Sequence, residues 1–148
     1  MSAAAETDEP AGLVLMRALL AAGKQPPIGE SLKFALVEVG LGRAVFEAVP
    51  GRHAYNPMGQ VHGGYAATLL DSACGIATAT RLLEGQSYTT LELKVAYHKA
   101  MSDKTGTVRA QGTVVSIGRR VAFAEARLID SAGKLLASAT STLLVMSA

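Results

Sequence analysis

In the C-terminal part of the chain, apolar and polar side chains alternate with a period of two. Leu91, Leu93, Val95 and Tyr97 fall on one face, and residues 107–117, 121–129 and 134–145 carry three further runs of the same kind. Successive side chains of a strand point to opposite faces, so this alternation predicts four half-buried strands. Ile117-Gly118-Arg119-Arg120 and Asp130-Ser131-Ala132-Gly133 have the composition of the turns between them. Two shorter runs, 32–39 and 44–49, are rich in Val, Phe and Leu and are separated by Gly40 and Gly42, which reads as a hairpin. Ahead of them Leu13, Met16, Leu19 and Leu20 recur at helical spacing between Pro10 and Gly23, residues suited to the first turn and the end of a helix.

Residues 62–83 follow a different pattern. The segment is apolar nearly all round and is built from small residues, Gly63, Gly64, Ala66, Ala67, Ala73, Gly75, Ala77 and Ala79 among them. Its length favours a helix over a strand, and its thinness lets neighbouring backbone come close. A helix with no polar face belongs inside a protein, here wrapped by a sheet. The order is then helix, two strands, long buried helix, four strands, which favours an antiparallel α+β fold over a parallel sheet. Residues 1–9 are polar and aperiodic and read as a mobile end, leaving 10–148 as one domain.

Charge narrows the function classes. Lys plus Arg number 14 against 12 Asp plus Glu, so nothing points to nucleic acid, while a small anionic ligand stays open. A single cysteine, Cys74, forms no internal disulfide, and His53, His62 and His98 lack metal-ligand spacing. These features suggest a cytoplasmic enzyme without a metal. The apolar run 11–22 follows Glu6, Asp8 and Glu9 and is interrupted by Arg17, unlike a signal peptide; 61–79 contains His62 and Asp71, unlike a membrane span.

Asp71 is the one side chain of fixed charge between His62 and Thr80. A carboxylate on an apolar helix is costly to desolvate, so it is either a structural Asp bonded to backbone or to a hydroxyl such as Ser72, or a general base or nucleophile. His62-Gly63-Gly64 opens the same helix, where free N–H groups and the dipole suit an oxyanion; two glycines also simply make a tight turn. Gly63 lacks a Cβ, so a substrate carbonyl can approach its amide. Gly63 and Asp71 are eight residues apart, ~12 Å along a helix at about 1.5 Å per residue. If both act on one carbonyl, the simplest arrangement takes Asp71 from a subunit related by a two-fold axis.

Asn56-Pro57-Met58-Gly59-Gln60-Val61-His62-Gly63-Gly64, followed by Leu70-Asp71, resembles the signature of hotdog-fold acyl-CoA thioesterases of the phenylacetate-degradation branch. The resemblance implies an antiparallel sheet of six strands around a central helix, with the Gly63 amide polarising the thioester carbonyl and Asn56 and His62 shaping its pocket. It makes Asp71 the catalytic carboxylate, oriented by Thr90. It also brings the turn Gly118-Arg119-Arg120 and Lys99 to coenzyme A, which enters as part of the substrate, with no separate cofactor. Lys99 stands where many relatives carry Arg, which keeps the charge without the bidentate fork. A homotetramer built from site-sharing dimers is implied as well. Ala66, Leu70 and Tyr65 are candidates for the acyl pocket. Two rival readings are a hotdog dehydratase or hydratase, disfavoured because Asp71 has no His beside it, and a non-catalytic acyl-CoA-binding module, which has little reason to keep a carboxylate near a thioester.

Overall fold

The computed structural model describes residues 8–148, so most of the 1–9 expectation lies outside the described residues. Helix α1 (Ala11–Ala22) starts behind Pro10 and stops at Gly23, whose φ of 66° suits a residue without a Cβ. Its Leu13 and Met16 are buried. A short helix α2 (Pro27–Leu32), not anticipated from the pattern, takes Leu32 away from the predicted first strand. Lys33 then adopts φ 58°, and β1 begins at Phe34.

Strands β1 (Phe34–Gly40) and β2 (Arg43–Ala48) form the predicted hairpin, followed by a 3-10 turn at Arg52–Ala54 and the long helix α3 (Gly63–Ala79). Strands β3 (Gln86–Tyr97), β4 (Val108–Ile117), β5 (Val121–Asp130) and β6 (Leu135–Ser147) complete one sheet in the order β1-β2-β4-β5-β6-β3. Every pairing is antiparallel. The α+β hotdog architecture expected above is therefore present, with β1 and β3 at its edges.

Small residues decide how closely α3 lies on the sheet. A Cβ on Gly112 of β4 would stand 2.2 Å from the Ala73 carbonyl oxygen, and one on Gly12 of α1 only 1.9 Å from that of Ala79. Glycine lets strand, central helix and α1 stack at backbone contact. Leu69, Leu70, Leu128, Leu136 and Leu143 fill the layer between helix and sheet, each contributing roughly 1.5–3 kcal/mol by leaving water. The helix ends before residue 83 because the buried Thr80 turns its hydroxyl back to the Ala77 carbonyl at 2.6 Å while accepting from the Gly42 amide at 2.8 Å.

One bulge changes the reading of β3. Thr90 pairs with Leu143 and Glu92 with Thr142, leaving Leu91 without a partner on β6. Tyr88 and Thr90 face the helix before the bulge, and Leu93 and Val95 face it afterwards. Leu91 therefore does not share their face and is 58% exposed. Among the described residues no helix is long and apolar enough to cross a membrane.

Candidate active site

The first group of site residues gathers at the N-terminus of α3. His62 caps the helix: its Nδ1 accepts from the Gly64 amide at 2.8 Å, which leaves the ring proton on Nε2. Gly63 is the first helical residue, and among the described residues its amide has no protein acceptor. Such an N–H, at the positive end of the helix, is a donor held ready for an incoming oxygen. Tyr97 arrives from the end of β3 and donates its hydroxyl to the Gly63 carbonyl at 2.6 Å. Together Asn56, His62, Gly63, Ala66, Tyr97 and Lys99 line a cavity of about 340 Å³.

Asn56 has a structural task in this wall. Its Oδ1 accepts from the amides of Met58 and Gln60 at 3.0 and 3.1 Å, and its backbone N–H donates to the Gln60 carbonyl at 2.7 Å. The side chain thus closes the 56–60 loop on itself as an Asx-type turn. Of the three acyl-pocket candidates, only Ala66 lines this cavity. Leu70 is fully buried in the core, and Tyr65 is 4% exposed with its ring edge-on to His53.

The second group lies two turns further along α3. Thr90 Oγ1 donates to Asp71 Oδ1 at 2.9 Å, so the hydroxyl beside the carboxylate comes from the strand rather than from Ser72. Asp71 is only partly buried. Its charge reaches the groups around it: Cys74 is pushed up to about 12, first by burial and then by the charges of Asp71 and Glu125. Tyr88 is raised by burial and then by Asp71. Both groups stay protonated at neutral pH, which removes the Cys74 thiolate as a nucleophile.

The coenzyme A candidates divide between the two groups. Lys99 lies in the Gly63 cavity, tied down by its amide to the Leu136 carbonyl at 3.0 Å. Gly118, Arg119 and Arg120 form the exposed β4–β5 turn at the other end of the sheet. The register runs from Ile117 to Ala122, Leu143 and Thr90 across four adjacent strands, which puts that turn at the Thr90 end of the sheet, with β6 between it and β3. The Gly63 amide and the Asp71 carboxylate thus lie at separate places on one helix. Among the described residues no cluster of three or more His, Cys, Asp or Glu is placed to hold a metal ion. Sequence reasoning missed the contacts of Tyr97 with Gly63 and of Tyr88 with the Asp71 turn, because each joins residues far apart in the chain.

Comparison with known proteins agrees with this fold. The sequence model of the thioesterase superfamily matches residues 58–137, which include Gly63, Asp71, Thr90 and the 118–120 turn. A 1,4-dihydroxy-2-naphthoyl-CoA hydrolase of Listeria monocytogenes is 28% identical over 116 residues, covering 78% of this chain and 93% of that protein. The phenylacetic acid degradation-related protein of Ralstonia eutropha superposes with a TM-score of 0.76 at 26% identity, covering 86% of this chain and 97% of that one. A Streptococcus mutans protein solved with acetyl CoA bound superposes with a TM-score of 0.70 at 25% identity, covering 77% and 89% of the two chains. With its fold and its matched segment in agreement, the chain belongs to the thioesterase superfamily and is a hydrolase of that superfamily.

Proposed function

We propose that residues 10–148 act as one acyl-CoA thioesterase domain whose active site is completed by a second copy of the chain. The observation that carries this reading is the 2.9 Å hydrogen bond from Thr90 to Asp71, a carboxylate on the same helix as the Gly63 amide, which has no acceptor among the described residues. Along one helix the two lie ~12 Å apart, too far for one thioester carbon. The sheet supplies a way to join them, since β3 is an edge strand of 12 residues with β6 on one side only. An antiparallel pairing of two β3 edges about a two-fold axis brings the Thr90 end of one strand toward the Tyr97 end of the other. Asp71 of one subunit then faces Gly63 of the next, and Lys99 of one joins Arg119 and Arg120 of the other beside a single coenzyme A.

In this arrangement the thioester oxygen accepts from the Gly63 amide, with the His62 Nε2–H beside it. Asp71 takes a proton from water, whose oxygen adds to the carbonyl carbon. The oxyanion collapses, the C–S bond breaks, and the proton returns from Asp71 to the departing CoA sulfur. The oxyanion donor contributes ~3 kcal/mol and the base a further factor of about 10² to 10⁴. Direct attack by Asp71, through a mixed anhydride later hydrolysed, uses the same groups and gives the same products. A naphthoyl-CoA hydrolase, a phenylacetic acid degradation-related protein and a protein solved with acetyl CoA bound, as relatives, support acyl-CoA esters, aryl esters among them, as the substrates.

The test is release of free CoA thiol from benzoyl-, phenylacetyl-, octanoyl- and hexadecanoyl-CoA by the purified chain, with Asp71→Ala alongside. Turnover that falls at least ~10²-fold in the variant, with KM little changed, is expected. Tight binding of the esters without turnover would move the chain to the acyl-CoA-binding class.

A further inference from the structure

Tyr97 is 57% exposed, yet its hydroxyl is committed. The residue closes β3 opposite Ala137 of β6, and the two residues after it are tied by their amides to the Leu136 carbonyl, His98 at 2.9 Å and Lys99 at 3.0 Å. A strand end held in this way delivers the side chain to one place, the first turn of α3, where the hydroxyl donates to the Gly63 carbonyl at 2.6 Å. The ring comes with it: a Cβ on Gly63 would stand 3.0 Å from the oxygen, 3.2 Å from Cζ and 3.4 Å from Cε1. With more than half of the side chain open to solvent, the hydrogen bond rather than burial keeps it there.

That bond acts on a run of groups. The Gly63 carbonyl and the Gly64 N–H belong to one peptide unit, and this N–H donates to His62 Nδ1 at 2.8 Å. A carbonyl that accepts a hydrogen bond polarises its own peptide, which makes the N–H at the other end a stronger donor. The direction is the same throughout, from the Tyr97 hydroxyl through the peptide to the imidazole. A neutral imidazole that accepts at Nδ1 carries its proton on Nε2; without a firm donor at Nδ1 either nitrogen can hold it. The turn cannot stiffen itself. Glycine gives it backbone freedom, and a Cβ on Gly64 would stand 2.9 Å from His62 Nδ1, so the restraint has to come from outside the helix. His62, Gly63 and Tyr97 all line the one cavity.

We infer that Tyr97 is a positioning residue for the carbonyl-binding groups: through the Gly63–Gly64 peptide it fixes the His62 proton on Nε2 and holds the first turn of α3, so that the His62 and Gly63 N–H donors are set before the thioester arrives. Donors fixed in advance need no reorganisation when charge develops on the oxygen. Tyr97 itself donates nothing to the ester, because its one proton is engaged by Gly63. The inference rests on the thioesterase reading above and adds what orients its donors.

The experiment combines Tyr97→Phe, which keeps the ring and removes the hydroxyl, with His62→Asn, whose oxygen can cap the helix while its nitrogen always carries protons. Two readouts are taken: ¹⁵N NMR of the labelled imidazoles, recorded well above the ordinary histidine titration range, and kcat and KM for phenylacetyl-CoA. Tyr97→Phe should turn His62 from a single Nε2–H form into a mixture of tautomers. It should lower kcat by ~3- to 10-fold, the range of one neutral hydrogen bond, with KM changed by less than about 2-fold. In the His62→Asn background, which has no tautomer to lose, the same substitution should lower kcat by less than about 2-fold. A single His62 tautomer retained in Tyr97→Phe, or a kcat loss as large in the His62→Asn background as in the wild-type chain, overturns the assignment of Tyr97 and leaves the thioesterase reading intact. No turnover of any ester by the wild-type chain overturns that reading, and the role of Tyr97 with it.

Discussion

Replacing Thr90 by Val removes one hydroxyl and keeps the β-branched shape that fits the strand. The lost contact is the 2.9 Å hydrogen bond to Asp71 Oδ1. A hydrogen bond to a charged group is worth roughly 1.5–3 kcal/mol, and about 1.4 kcal/mol corresponds to a factor of ten in rate. Thr90→Val should therefore lower kcat by ~10- to 100-fold, because the carboxylate loses its orientation toward the attacked carbon. Two effects oppose each other here. A donor on the carboxylate weakens it as a base, so deletion also strengthens it, but misplacement of a general base by even ~1 Å outweighs that gain. KM should change little, since Thr90 touches Asp71 rather than the substrate, and Thr90→Ser, which restores a donor, should recover most of the rate. The assay is CoA thiol release under saturating ester, with folding checked by thermal melting. Wild-type kcat in Thr90→Val would refute Thr90 as a positioning residue, and an equal loss in Thr90→Ser would show that packing, not the hydroxyl, matters.

The remaining predictions concern packing, titration and coenzyme A. Gly112→Ala sets a Cβ 2.2 Å from the Ala73 carbonyl oxygen, which is backbone and cannot rotate away; a loss of ~1–3 kcal/mol is expected, and an unchanged urea midpoint would contradict the close helix–sheet contact. Cys74, raised to about 12 from 9.0, should resist thiol reagents in the folded chain at pH 8 and react on unfolding. Its contribution to stability is complete below pH 9 and is lost as pH rises from there toward about 12, because the unfolded chain ionises first. A thiol titrated at its ordinary value in the folded chain would disprove the burial. Substituting Arg119 and Arg120 together by Ala should raise KM for acyl-CoA by roughly 5- to 10-fold and flatten its dependence on salt; an unaltered KM would take the β4–β5 turn out of the coenzyme A site.

How much of this was legible in the sequence depended on the range of the interaction. The period-two runs and the small-residue segment gave the four C-terminal strands, the hairpin and the central helix, because alternation and helix thinness are local properties. Helix α2 was missed: six residues opening on Pro27 with Ile28 exposed offer too little periodicity to read. The bulge at Leu91 was missed because a one-residue insertion shifts the face without altering composition. Asp71 stood out as the lone fixed charge on an apolar helix and Gly63 as part of His62-Gly63-Gly64 at its start, and Thr90 through family resemblance. The reach of Tyr97 over Gly63 and of Tyr88 over Gly75 is not encoded in any local pattern. The placement of Tyr65 and Leu70 in the core depends on which way the helix faces the sheet, and that only the assembled fold decides.

The composite site is the centre of the account, and mixing two inactive variants tests it most directly. Asp71→Ala keeps an intact Gly63, while Gly63→Val, whose added Cβ would stand 3.0 Å from the Tyr97 hydroxyl, keeps an intact Asp71. After dissociation and reassembly at equal amounts, half of the dimers should be mixed, each with one intact Gly63 opposite one intact Asp71, so about a quarter of wild-type CoA release should return. Mixed dimers that form and remain as inactive as either parent would place Gly63 and Asp71 in the service of a site within one chain and contradict the account.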